Sequence, residues 1–143
     1  AGFAGLLLEE MVAGIELIVG AKIDYQFGLI ILLGIGGTSV EIYRDVAIRM
    51  TPLTSEDVYS MLHELKGGQL LSGYRGKEAI SKEKLVRVLV DFAEVVHDMV
   101  PYIESIDLNP LLCSGEYCVI ADARIMLGEV FLKTGEADPF FVG

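Results

Sequence analysis

Short apolar runs fill the first fifty residues, and turn-forming residues separate most of them. Residues 6–12 (Leu-Leu-Leu-Glu-Glu-Met-Val) predict a strand ending in an acidic pair and broken by Ala13-Gly14. Residues 15–24 predict a second strand, with Glu16 at an outward position among apolar neighbours. Tyr25-Gln26-Phe27-Gly28 reads as a turn, 29–33 as a buried strand, and 40–45 and 46–50 as two further strands. The period then lengthens. Val58, Met61, Leu62 and Leu65 form a helical stripe that predicts a helix over 56–66. Thr54 or Ser55 caps it, with Asp57 placed as in a capping box, and Gly67-Gly68 ends it. Residues 69–78 read as a loop carrying Arg75 and Lys77. A longer helix follows over 82–99, capped by Ser81 and stopped by Pro101. These elements predict an α+β fold, an antiparallel sheet with two main helices packed on it.

The next stretch carries the chemistry. Two apolar runs flank Ser114-Gly115-Glu116-Tyr117, which predicts a β-hairpin with a four-residue loop. If Cys113 faces Cys118, Asn109 lies opposite Asp122 and Asp107 opposite Arg124. All four then project from one face, because side chains alternate along a strand. Opposed Cα atoms lie about 4.5–5.5 Å apart, so two carboxylates and an amide oxygen converge on one point. Such a set suits Mg²⁺, which keeps several waters and takes phosphate oxygens as further ligands. A slip of one residue would remove the convergence. On spacing alone, a solvated surface hairpin is the commoner use of such residues. A second candidate is the glycine-rich stretch 34–37, whose backbone N–H groups can meet phosphate. It lacks the Gly-Lys-Ser/Thr ending of a P-loop, and a tight hairpin is its plainer use.

Composition narrows the partners. Of 143 residues, 52% are hydrophobic, yet the longest uninterrupted apolar run, residues 29–33, is strand-sized. No membrane partner is expected, and the apolar excess is assigned to a core or an interface. The formal net charge of −10 argues against a nucleic-acid backbone as the main partner. Two cysteines and no secretory pattern predict a cytoplasmic setting with free thiols, a disulfide across the hairpin being the alternative. His63 and His97 stand too far apart to complete a zinc site with them. The chain starts at Ala1 with a strand-like run almost at once, so a piece of a longer chain is expected. Residues 1–128 form the domain of this reading and 129–143 a tail.

Several motifs stand in order. They are Glu10-Met11, Gly14-Ile15-Glu16-Leu17-Ile18-Val19-Gly20, Asp24-x-x-Phe27-Gly28 and Gly34-x-Gly36-Gly37-x-x-Val40-Glu41. Asp45-Val46-Ala47-x-Arg49-x-x-Pro52-Leu53, Gly73-Tyr74-Arg75-Gly76, Ile106-Asp107-x-Asn109-Pro110-Leu111 and Asp122-Ala123-Arg124-Ile125 follow. The series resembles the ATP-grasp domain of ADP-forming (NDP-forming) acyl-CoA synthetases, of the succinyl-CoA synthetase superfamily. The resemblance implies an ATP-grasp C-terminal subdomain that forms one side of a cleft for ATP or ADP. It implies that the backbone at Glu10-Met11 meets the adenine and that Glu16 lies near the ribose hydroxyls. Asn109 and Asp122 match the Mg²⁺ ligands, with Asp107 beside them. Gly36, Gly37 and Arg49 resemble positions near the phosphates or the phosphoryl-transfer site, Arg49 being the catalytic candidate. Arg75 matches a motif without an assigned role, and neither His63 nor His97 matches the family's phosphorylated histidine. The implied partners are a nucleotide, the preceding ATP-grasp N-terminal subdomain and a CoA-binding subunit or domain; a homo-oligomer fits too. The alternatives are a non-catalytic interaction domain docking on a partner subunit, or another ATP-grasp ligase.

Overall fold

The computed structural model describes residues 5–37, 45–73, 76 and 78–128. Strand β1 (Ile15–Asp24) turns at Tyr25-Gln26-Phe27 into β2 (Gly28–Ile35). Asp24 holds that turn, its Oδ1 accepting the N–H groups of Gln26 and Phe27. Next come β3 (Val46–Met50), helix α1 (Ser55–Glu64), a 3-10 turn (Lys66–Ser72) and helix α2 (Lys82–Met99). Strand β4 (Ile103–Cys113), β5 (Cys118–Ile120) and β6 (Ala123–Leu127) finish the described chain. The sheet is antiparallel in the order β3-β2-β1-β4-β5, with β6 also pairing β4.

One face of the sheet is dry. Leu17, Val19, Ile31, Leu33, Leu108 and Leu111 point into a core closed by Val58 and Met61 of α1 and by Leu85, Leu89 and Val96 of α2. Each fully buried aliphatic side chain contributes about 1.5–3 kcal/mol through apolar burial. The alternate positions of the same strands, among them Glu16, Lys22, Ile48, Asp107 and Asn109, face the other way. No described element packs on that side. Among the described residues, no helix is long and apolar enough to cross a membrane.

Both helix starts follow their sequence signals. Thr54 and Asp57 form a complete capping box, and the Ser81 side chain accepts from the Lys84 N–H. The hydrogen bonds from Thr54 hold the Asp57 carboxyl below its ordinary range. Three expectations need correction. Residues 6–12 form no strand: they lie outside the sheet, and Leu6, Leu7 and Leu8 are 84–97% exposed. Residues 69–72, expected as loop, belong to a 3-10 turn (Lys66–Ser72), tethered by Asp45, whose carboxylate accepts the N–H groups of Lys66 and Gly67 at 2.7 and 2.6 Å. Gly67-Gly68 therefore lies inside that turn, and α1 ends at the extended residue Leu65. The strand expected over 40–45 falls, apart from Asp45, outside the described residues, as does the tail from 129.

Candidate functional site

The hairpin has the register that its apolar pattern predicted. Cys113 pairs with Cys118 and Leu111 with Ile120, while Asp107 pairs with Arg124 and Leu108 with Ala123. Between these two ladders the Asn109 N–H donates to the Asp122 carbonyl at 3.1 Å, and the Ala121 N–H donates to the Pro110 carbonyl at 3.0 Å. The sequence signal for this was specific. Apolar residues on both arms fix which face is inward, and a four-residue loop fixes the count. Ser114 closes that loop: its Oγ accepts the N–H groups of Glu116 and Tyr117.

Spacing alone could not show the bulge. Against β1, Leu111 sits opposite Leu17 and Leu108 opposite Val19, so β4 carries one extra residue at Asn109-Pro110. A bulge re-aims side chains and often ends or redirects pairing. Here it lets Leu108 and Leu111 both point into the core while Asp107 and Asn109 are exposed on the open side. The Asp107 carboxylate lies over Gly20, where Oδ1 would be 3.5 Å from a side-chain β-carbon at that position.

Asp107 and Asn109 are thus carried on β4 and Asp122 on the link between β5 and β6, bonded through its carbonyl to Asn109, and none of their side chains forms an ion pair among the described residues. The Asp122 Oδ1 accepts the Ala123 N–H at 2.9 Å, which orients the carboxylate and leaves its other oxygen available. Two carboxylates and one amide are an oxygen set suited to a hard, partly hydrated cation. Among the described residues, no three His, Cys, Asp or Glu side chains gather as a closed cage.

Glu16, Gly36 and Gly37 also come together. The Gly36 N–H donates to the Glu16 carbonyl at 2.7 Å. A β-carbon on Gly36 would meet that carbonyl oxygen at 2.8 Å, so only glycine fits the approach. Gly37 has φ +90° and lies beside the Glu16 carboxylate, whose Oε2 would be 3.6 Å from a β-carbon there. Glu16 is exposed and pairs with Leu112, further along the strand from the Gly20–Asp107 pair.

Two predicted site elements are not brought to this group. Arg49 pairs with Ile31, a core-facing residue. Its guanidinium donates to Ser60 Oγ at 2.9 Å and meets the Glu64 carboxylate at 2.9 Å, both on α1. It therefore sits on the helix side of the sheet, away from Asp107 and Asn109. Glu10 and Met11 are exposed in chain that lies outside the sheet. That chain is anchored where the Tyr117 hydroxyl donates to the Ala13 carbonyl and Gly14 packs tightly on the backbone of Cys113. Arg75 lies outside the described residues.

Comparison with known proteins agrees with this architecture. A family model described as an ATP-grasp domain matches residues 1–127. The chain is 40% identical over 126 residues to the beta subunit of an ADP-forming acetate–CoA ligase II of Pyrococcus furiosus, covering 86% of this chain and 53% of that subunit. It is 37% identical over 126 residues to an ADP-forming 4-hydroxybutyrate–CoA ligase of Nitrosopumilus maritimus, covering 86% of this chain and 18% of that one. Among solved structures, acetyl-coenzyme A synthetase 1 of Ca. Korarchaeum cryptofilum, in complex with coenzyme A and Mg-AMPPCP, superposes with a TM-score of 0.76 at 37% identity. That match covers 82% of this chain and 55% of the other. The chain spans about half the length of the Pyrococcus furiosus subunit it matches. With the antiparallel sheet, the one-sided helix layer and the matched span taken together, the chain belongs to the ATP-grasp domain family, alongside the ADP-forming acyl–CoA ligases.

Proposed function

We propose that this chain supplies the nucleotide- and Mg²⁺-binding half of an ADP-forming acyl–CoA ligase, an enzyme converting acyl-CoA, ADP and phosphate into acid, CoA and ATP. One observation carries the reading. The Asn109–Asp122 backbone pair and the Asp107–Arg124 pair set three oxygen-bearing side chains on the sheet face that no described element covers. Asp107, Asn109 and Asp122 hold the cation, and bound there it would offset the charge between neighbouring phosphate groups. Glu16 accepts hydrogen bonds from the ribose hydroxyls. Gly36 and Gly37 bring main chain close to the ligand, and the backbone at Glu10-Met11 borders the base. Arg49, bonded to α1, braces that helix. The opposing cations and the CoA site come from parts of the protein beyond this chain. Catalysis of this kind rests on positioning, so half a clamp should be nearly inactive alone.

The test is calorimetric titration of the whole protein with ATP, with and without Mg²⁺, beside an Asn109→Ala/Asp122→Ala variant. Mg²⁺-dependent binding and turnover should be lost in the variant while its melting temperature stays within a few degrees. Unchanged Mg²⁺-dependent turnover would sink the metal assignment. Absence of any nucleotide binding by the whole protein would favour an interaction domain working through its uncovered sheet face.

A further inference from the structure

We propose that Cys113 and Cys118 are a redox couple that closes into a cross-strand disulfide by exchange with a low-molecular-weight disulfide. The two residues are direct partners in the β4–β5 ladder, and both are free thiols in this structure. Next to them, the Ser114 N–H donates to the Tyr117 carbonyl at 2.8 Å, making 114 and 117 a hydrogen-bonded pair. Pairs alternate along an antiparallel ladder, so 113 and 118 occupy a non-hydrogen-bonded position, where Cα atoms stand about 4.5 Å apart. Disulfides span Cα separations of about 4.4–6.8 Å, so closure needs no rearrangement of the strands.

The pair is chemically unequal. Cys113 is fully buried, whereas Cys118 is half-buried. The hydrogen bond from Cys113 and the nearby Lys84 ammonium hold Cys118 below the ordinary thiol range, against the opposing effect of burial. The Lys84 Nζ donates to the Glu116 carbonyl, which fixes its charge beside the hairpin loop. The same thiol–thiol hydrogen bond and burial push Cys113 well up. Cys118 is therefore the attacking group and Cys113 the resolving one. Cys118, the less buried of the two, is the one that a small disulfide reaches from solvent.

The steps balance. The Cys118 thiolate attacks one sulfur of the small disulfide and expels the other half as a thiolate. With Cys118 held in the mixed disulfide, its charge no longer opposes ionisation of Cys113. Cys113 passes its proton to the expelled thiolate, attacks Cys118 Sγ and releases the second half. The two protein thiols lose two electrons and two protons, and the small disulfide takes up both and leaves as two thiols. The new bond fixes the register that sets Asn109 against Asp122 further along the same strands.

The experiment is incubation of the protein with oxidised glutathione, acid quenching, alkylation under denaturing conditions and mass analysis of the tryptic peptide 88–124. Loss of both alkylation sites, with a peptide lighter by two hydrogens and restored by dithiothreitol, is the expected result. Cys113→Ser should halt at a glutathione adduct on Cys118, and Cys118→Ser should leave Cys113 unmodified. Two alkylated thiols after full equilibration would overturn the proposal. So would a wild-type protein that accumulates the mixed adduct without closing.

Discussion

Arg49 shows how a residue can match a motif and still be spent elsewhere. Its neighbours Ile48 and Met50 face the open side, so strand alternation turns Arg49 toward α1, where Ser60 and Glu64 engage it. Both members of the ion pair are partly exposed, so Arg49→Ala should cost no more than about 1 kcal/mol. Chemical denaturation would measure that, and calorimetry should find Mg²⁺-dependent ATP affinity unchanged. A loss of affinity without a loss of stability would return Arg49 to the site. Gly36 is the opposite case, a residue whose constraint is steric. A β-carbon there meets the Glu16 carbonyl, carbonyl carbon and Cβ at 2.8–2.9 Å, and two of those atoms are backbone that cannot swing aside. Gly36→Ala should destabilise by roughly 1–3 kcal/mol, as overpacking does, and should move Glu16. The glycine-rich pattern pointed to this spot, but not to its reason. Asp45 gave no signal of its tether to the 3-10 turn, because that contact spans more than twenty residues of sequence.

Elements were readable where two independent signals agreed. Residues 82–99 carry a continuous helical stripe, a Ser81 cap and a Pro101 stop, and α2 has those bounds. The hairpin was readable because alternation and loop length impose one register together. Residues 6–12 had composition only. Three consecutive leucines supply apolar surface without naming a partner strand, and a strand exists only where a ladder receives it. The bulge at Asn109-Pro110 is invisible for a related reason, since it is a mismatch between β4 and β1, which lie some ninety residues apart in sequence. The capping box of α1 makes a prediction at this level. Thr54→Ala removes the acceptor for the Asp57 N–H and should cost about 1 kcal/mol. The Asp57 carboxyl is held low by its Thr54 hydrogen bonds. A depressed folded-state pKa contributes stability that is fully present above the unfolded value and is lost as pH falls through the folded one. The gap between wild type and Thr54→Ala should therefore be widest near neutral pH and narrow below about pH 4. Thermal melts at pH 7 and pH 3 would show it, and a gap independent of pH would refute the linkage.

Among the described residues the sheet is covered on one side only. Its helix face is closed by α1 and α2, and among the described residues no charged or polar side chain is buried there. The opposite face mixes the oxygen donors with exposed apolar groups such as Ile48 (46%), Met50 (58%) and Met126 (41%). Apolar surface of this kind gains roughly 25 cal/mol for every Å² withdrawn from water, and in isolation its available partner is another copy. The formal net charge of −10 works against that, since like-charged copies repel. Repulsion between exposed charges is screened over about 8 Å at physiological ionic strength, whereas apolar contact is not weakened by salt. The chain on its own should therefore self-associate, and more so as salt rises. Light scattering after size exclusion should give a mass above the 15.6 kDa of one chain. Ile48→Glu with Met50→Glu should return it toward that value, because both side chains lie on the uncovered face and neither supports the core. A monomer at every salt concentration would mean that the apolar groups are too dispersed to act as one surface. The uncovered face would then owe its purpose to the oxygen donors alone, and the contribution of Asp107, Asn109 and Asp122 could be measured on the isolated chain without interference from self-association.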